Sequence, residues 1–206
     1  MSGRRAGRVT WLVAWALAAC VHSVPAPVPE GALAAPVFVV RHAERAAEPA
    51  GDPVLTEAGE ARAVALAARL DDVPLGGVVL SDRRRTRLTA QPTLDAQRID
   101  TSAVARRVVV VPIGTDGVAA HVTRVADSAR ALARRTGRAV LVVGHSNTVG
   151  PIVRALGGPD YGELCDGEYS WLFIVRPRDG GVEPTRLTYG APSPPRDAAC
   201  GARMRP

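Results

Sequence analysis

Aromatic side chains are scarce in this chain, at 4 % of 206 residues, and lysine is absent, so every basic residue is an arginine. The arginines are scattered rather than gathered on one stripe, and few aromatics stand between them. That pattern excludes a nucleic-acid platform despite a formal net charge of +6. Three of the charges, Arg4, Arg5 and Arg8, belong to an N-terminal segment set apart from the rest. The apolar run that follows them, Val9 to Ala19, is shorter than the about 20 residues a bilayer-spanning helix needs. Cysteines number only three. His42 and His145 have no cysteine or carboxylate set beside them at ligand spacing, so a metal site has no support. No internal repeat and no second domain is visible. The length suits one well-buried domain, and 47 % hydrophobic with 22 % charged residues is an ordinary globular composition.

Residues 1–19 read as a targeting segment, with a positive start, a short apolar stretch and small residues at its end. It closes on Leu17-Ala18-Ala19-Cys20, which resembles the lipobox of bacterial lipoproteins. The resemblance implies lipidation of Cys20, a membrane partner through that lipid, and an exported, membrane-anchored protein of the bacterial cell envelope. Residues 20–35 then form a tether whose prolines, Pro25, Pro27 and Pro29, favour extended geometry at about 3.1 Å per residue. The folded domain is expected over 36–190, and residues 191–206 form a tail rich in proline and small residues.

The domain begins with Val37 to Val40, a continuous β-branched and apolar run that predicts a strand buried on both faces. It runs directly into Arg41, His42, Glu44 and Arg45. Thr56 is placed to cap a helix that carries an apolar stripe of Ala65, Leu66 and Leu70. Leu75 to Leu80 predicts a second strand, and a helix follows from Arg84 to Arg98. Val108 to Val111 predicts a third buried strand, and Val118 to Arg135 a long helix with Val122, Val125 and Leu132 inward. Ala139 to Val143 predicts the fourth strand, and Val149 to Leu156 a further helix. Glu168 to Val175 and Arg186 to Tyr189 are expected closing strands around the Asp179-Gly180-Gly181 turn. Alternation of this kind implies an α/β fold: a three-layer, doubly wound, mostly parallel sheet with helices on both faces and antiparallel closing strands.

Three strand ends carry polar clusters: Arg41-His42, Ser81 to Arg87, and His145-Ser146-Asn147. In a doubly wound sheet such ends share one edge, where ligands bind. Arginine offers a rigid fork of donors for phosphate oxygens, and neutral imidazole is a nucleophile near neutral pH. The helix start after Asn147 is expected to add backbone donors to the same anion.

These motifs resemble the histidine phosphatase superfamily, the phosphoglycerate-mutase-like fold. Val-Arg-His-Ala-Glu at 40–44 is similar to its first histidine motif, and Leu-Thr-Glu-Ala-Gly at 55–59 to its helix start. The stretch from Ser81 to Ala90 is similar to its arginine motif, and Val142 to Asn147 to its second histidine motif. The likeness is to the short, cap-less members. It implies a phosphomonoesterase acting on a small phosphorylated substrate or phosphohistidine, without a cofactor. His42 would be the nucleophile, and Arg41, Arg85 and His145 would bind the phosphoryl oxygens, with Ser146 and Asn147 beside them. The motif register alone selects Arg85 over Arg83, Arg84 and Arg87.

Within the same resemblance a general acid is expected in the loop after the third strand, where Asp116 is the first candidate and His121 the next. Gly144-His145-Ser146-Asn147-Thr148 is not a nucleophile elbow, because the second glycine is missing and no histidine follows. The rival reading is an inactive phosphate-binding lipoprotein of the cell envelope. Cys165 and Cys200 form an even pair once Cys20 is set aside, which in an exported protein suggests a disulfide.

Overall fold

The computed structural model describes residues 31–102 and 105–194. The expected targeting segment, Cys20, most of the expected tether, Cys200 and the end of the tail lie outside the described residues. The chain runs β1 (Val37–Arg41), α1 (Glu57–Arg69), β2 (Leu75–Ser81), α2 (Arg84–Ala96), β3 (Val108–Val111), α3 (Val118–Thr136), β4 (Ala139–Gly144), α4 (Val149–Ala155), β5 (Trp171–Arg178) and β6 (Gly181–Thr188). They build one sheet in the order β3-β2-β4-β1-β5-β6. The first four in that order are parallel, and β5 and β6 are antiparallel additions.

Strand alternation divides the core. Val37 and Val39 pack with Val125, Leu132, Val149 and Ile152 on the face covered by α3 and α4. Phe38 and Val40 pack with Leu66, Leu70 and Leu94 on the face covered by α1 and α2. A strand that must satisfy two apolar layers has no room for polar residues until it leaves the sheet, so chemistry is deferred to its end.

Several expectations are adjusted. The third strand is not buried on both faces: β3 is an edge strand, with Val110 exposed. The closing hairpin is longer than its apolar pattern, because β5 runs on through Arg176, Pro177 and Arg178 and β6 begins at Gly181. Register with a neighbouring strand, not hydrophobicity, extends both. The last residues assigned to the tether belong to the domain, since Leu33 and Ala35 are buried in the α3/α4 core. The described start of the tail is also held. Ser193 Oγ accepts the N–H groups of Tyr169 and Ser170 (3.0 Å each), and the Ala191 carbonyl accepts from Arg62 (2.9 Å).

Helix α1 is set against the loop after β1. Thr56 Oγ1 accepts the Gly59 N–H at 3.1 Å, as its N-cap position predicts. The Glu44 carbonyl accepts the Thr56 N–H at 3.0 Å, and a Cβ at Gly59 would lie 2.2 Å from that carbonyl oxygen. Arg62, buried at 4 % exposure, holds the Glu44 carboxylate with Nε and Nη2 and donates Nη1 to the Tyr189 carbonyl. Glu44 therefore serves the fold, tying the segment after the strand to α1. Replacing Gly59 with alanine improves intrinsic helix propensity by about 1 kcal/mol. The backbone clash is expected to outweigh it, lowering stability by roughly 1–3 kcal/mol in a urea titration. A Gly59→Ala variant as stable as the parent would contradict this packing.

Candidate active site

The parallel pairing of β1 with β4 places Arg41 opposite Gly144, so the next residues, His42 and His145, leave the sheet side by side. The His42 N–H donates to the Gly144 carbonyl at 2.9 Å, and the two rings meet edge-on with centroids 5.3 Å apart. Arg85 reaches them from the first turn of α2, where its Nη2 lies 3.3 Å from His145 Nδ1. Asp52 orients that helix start, accepting the Arg84 N–H at 3.0 Å and standing 3.9 Å from Arg85 Nη1. Thr89 adds a second tie: its Oγ1 accepts the Ala43 N–H at 2.9 Å and donates to the Arg85 carbonyl at 2.7 Å.

Partners define the tautomers. A carbonyl only accepts, so His42 Nδ1 carries the hydrogen it donates to Ala43 O at 2.8 Å. His42 Nε2 is left with a lone pair. A guanidinium only donates, so His145 Nδ1 accepts from Arg85 and Nε2–H donates to Ser81 Oγ at 2.9 Å. Ser81 passes the chain on to Thr86 Oγ1 (3.2 Å), which donates to the Arg83 carbonyl (2.8 Å). Desolvation is the main reason the His42 pKa falls to about 3, with His145, Arg41 and Arg85 pushing the same way and the Ala43 carbonyl opposing. His145 also falls to about 3, first through burial and then through Arg85. Both imidazoles are neutral at physiological pH.

Arg41 is buried, and its Nη1 donates to the carbonyls of Cys165 (2.6 Å), Asp166 (3.1 Å) and Glu168 (3.2 Å). Its guanidinium lies 4.1 Å from the Tyr169 ring centroid. The Nε groups of Arg41 and Arg85 are buried without a hydrogen-bond partner. Among the described residues, Arg41 and Arg45 have no salt bridge to a carboxylate.

A cavity of about 470 Å³ opens over these groups, lined by Arg41, His42, Arg85, His145, Ser146 and Asn147. Of the arginine run from Arg83 to Arg87, only Arg85 lines it. Sequence reasoning missed Arg45, Glu163 and Asp166 on its walls and the apolar rim of Ile113 and Val118. Arg45 was visible three residues after His42, whereas nothing in the sequence pointed to Glu163 and Asp166. A larger cavity, about 730 Å³, lies near the β5–β6 turn and the end of α4 and holds no histidine, so volume alone does not locate the chemistry.

Two expected groups are placed otherwise than the sequence suggests. Asp116 does not line the cavity: Gly114, Thr115, Gly117 and His121 do, while Asp116 turns outward to an ion pair with Arg124. That bond holds its carboxyl below the usual range, which disfavours it as a proton donor. At the start of α4, two of the expected anion donors are already engaged. The helix has seven residues, and the N–H groups of Thr148 and Val149 already donate to the His145 carbonyl at 3.0 and 3.1 Å. Cys165 is disulfide-bonded; its expected partner, Cys200, lies outside the described residues.

The depressed histidines make stability depend on pH. Unfolded histidine has a pKa near 6.5, so between about pH 3 and pH 6.5 the unfolded chain binds more protons than the folded one. Their contribution is complete above about pH 6.5 and is lost as pH falls toward 3. Urea midpoints should fall over that window, and a His42→Asn, His145→Asn double variant should show a shallower fall. Equal slopes in the two proteins would contradict the assigned protonation.

The family model for the histidine phosphatase superfamily (branch 1) matches residues 37–106. No curated protein matches the chain. Among solved structures, the protein histidine phosphatase SixA complexed with tungstate superposes with a TM-score of 0.58 at 22 % identity, covering 74 % of this chain and 96 % of that one. Phosphoglycerate mutase from Bacillus anthracis gives 0.53 at 14 % identity, covering 77 % and 92 %. Rv3214 from Mycobacterium tuberculosis gives 0.50 at 19 % identity, covering 75 % and 97 %. The fold is that of these proteins, and the family match covers the segment that carries β1, α1, β2 and α2.

Proposed function

We propose that the protein is a phosphatase that hydrolyses a phosphate ester or phosphohistidine through a phosphohistidine on His42. The observation that carries this reading is the convergence on one cavity of two guanidiniums, buried Arg41 and part-buried Arg85, around a neutral imidazole whose Nε2 lone pair is free. Buried cationic donors without acceptors are costly, and a phosphoryl dianion supplies the charge and the oxygens together. His42 Nε2 attacks phosphorus and the bond to the leaving group breaks. Arg41 and Arg85 stabilise the equatorial oxygens as charge spreads over them. Water then attacks the N–P bond, releases phosphate and restores the neutral imidazole.

His145 joins the donors with a proton that the substrate brings: a phosphate monoester bound as its monoanion gives its proton to Nδ1, which the resulting dianion favours. Nδ1–H and Arg85 then both donate to phosphoryl oxygens, while Nε2–H stays on Ser81. Ser146 and Asn147 complete the substrate wall. With Asp116 turned away, the reading favours leaving groups that need little protonation, aryl phosphates and phosphoramidates among them. The alternative, an inactive phosphate-binding lipoprotein, draws no support from the family match. Placement in the cell envelope remains a proposal resting on residues 1–20 alone.

Hydrolysis of p-nitrophenyl phosphate by the purified chain is the test. His42→Ala should abolish turnover, and Arg85→Ala or His145→Ala should lower kcat by roughly 10²–10³, as loss of one charge-stabilising donor does elsewhere. Turnover unchanged in His42→Ala would remove the enzymatic reading.

A further inference from the structure

We propose that the segment from Cys165 to Tyr169 is a positioning clamp for Arg41 and that Glu168 is the residue that holds the clamp in shape; this inference rests on the phosphatase reading above. Glu168 is a buried acid, 3 % exposed, that lines no part of the catalytic cavity. Its Oε2 accepts the Cys165 N–H at 2.9 Å, and its Oε1 accepts Trp171 Nε1–H at 3.0 Å. Its own N–H donates to the Cys165 carbonyl at 2.9 Å. The turn is thus closed in both directions, backbone to backbone and side chain to backbone.

The consequence is the convergence of the Cys165, Asp166 and Glu168 carbonyls on the single nitrogen Arg41 Nη1. A guanidinium held on one side by these oxygens and stacked against Tyr169 at 4.1 Å has lost its torsional freedom before any substrate arrives. The Tyr169 hydroxyl, 3.4 Å from Nη2, adds a further restraint on the ring side. Burial lowers the Arg41 pKa, with Tyr169 and then the carboxylates of Asp166 and Glu168 opposing it. Among the described residues Arg41 makes no salt bridge, so the loop carbonyls and the Tyr169 ring, not an ion pair, orient its guanidinium.

The clamp is anchored at three more points. Ser193 Oγ holds the N–H groups of Tyr169 and Ser170, and the Leu164 N–H donates to the Ser146 carbonyl at 2.9 Å, joining the loop to the second histidine segment. Cys165 adds a covalent tie through its disulfide. Glu168 lies outside the cavity, and the three carbonyls its turn presents to Arg41 are the route by which it reaches the site.

A double-mutant cycle on the full chain tests this, with p-nitrophenyl phosphate as substrate and inorganic phosphate as inhibitor. Glu168→Ala should lower kcat/KM by roughly ten- to a hundredfold and raise the phosphate inhibition constant, with Glu168→Gln retaining more activity. In an Arg41→Ala background Glu168→Ala should have no further effect on kcat/KM. The same fold-loss in both backgrounds, or no loss in either, would overturn the clamp. Should Glu168→Ala not fold, dithiothreitol serves in its place: it should lower kcat/KM of the wild type but not of Arg41→Ala. An unchanged wild-type kcat/KM after thiol release would count against the proposal. If His42→Ala stays active, the phosphatase reading is what fails. Calorimetric binding of inorganic phosphate then reads the clamp by itself, weaker in Glu168→Ala if it is right and equal if it is wrong.

Discussion

Two imidazoles, His42 and His145, are held edge to edge because the strands that deliver them are hydrogen-bonded neighbours in parallel register. That pairing is the constraint on which the rest of the site depends. It requires β4 to enter the sheet between β2 and β1, so the long α3 crossover must return the chain from the edge strand β3 to the centre. It also requires both strands to be apolar on two faces, which leaves their polar residues to collect just beyond the ends. Position along the chain separates the histidines by a hundred residues or so; register brings their ring centroids to 5.3 Å.

Electrostatics follows from that burial. Desolvation keeps both rings neutral, which suits a nucleophile, while the neighbouring arginines cannot lose their charge at physiological pH. Neutral lone pair and fixed cations therefore coexist within one cavity, an arrangement matched to an incoming anion that must be both bound and attacked. The surroundings are arranged to keep it so: hydroxyls of Ser81, Thr86 and Thr89, backbone carbonyls of the 165–168 loop, and the distant Asp52 orient the cationic and imidazole groups. The one strongly bound carboxylate of the first motif, Glu44, is directed away to Arg62 and α1.

Much of the fold was legible because its signals were local. The apolar strands, the Thr56 cap and the inward stripe of α3 need only near neighbours to be read. Edge placement of β3 and the continuation of β5 through Arg176-Pro177-Arg178 depend on which strand lies alongside, and local hydrophobicity does not carry that. In the site, Arg41, His42, Arg85 and His145 were legible from motif register, and the structure brings all four to one cavity. Asp116 was chosen by its loop, but a loop position does not say which way a side chain turns, and Arg124 on α3 draws it outward. Glu163, Asp166 and the carbonyls around Arg41 come from a loop more than a hundred residues away and carry no motif at all. Gly114, Thr115 and Gly117 beside the cavity are similarly silent in sequence.

The most direct test of the account is the covalent state of His42 during turnover. Rapid acid-free quenching of the enzyme with ³²P-labelled substrate, followed by peptide mapping, should recover an acid-labile, base-stable phosphoryl group on His42, attached at Nε2 because Nδ1 is engaged with the Ala43 carbonyl. Label recovered on another residue, or turnover with no phosphoenzyme formed under conditions that slow its hydrolysis, would contradict the account.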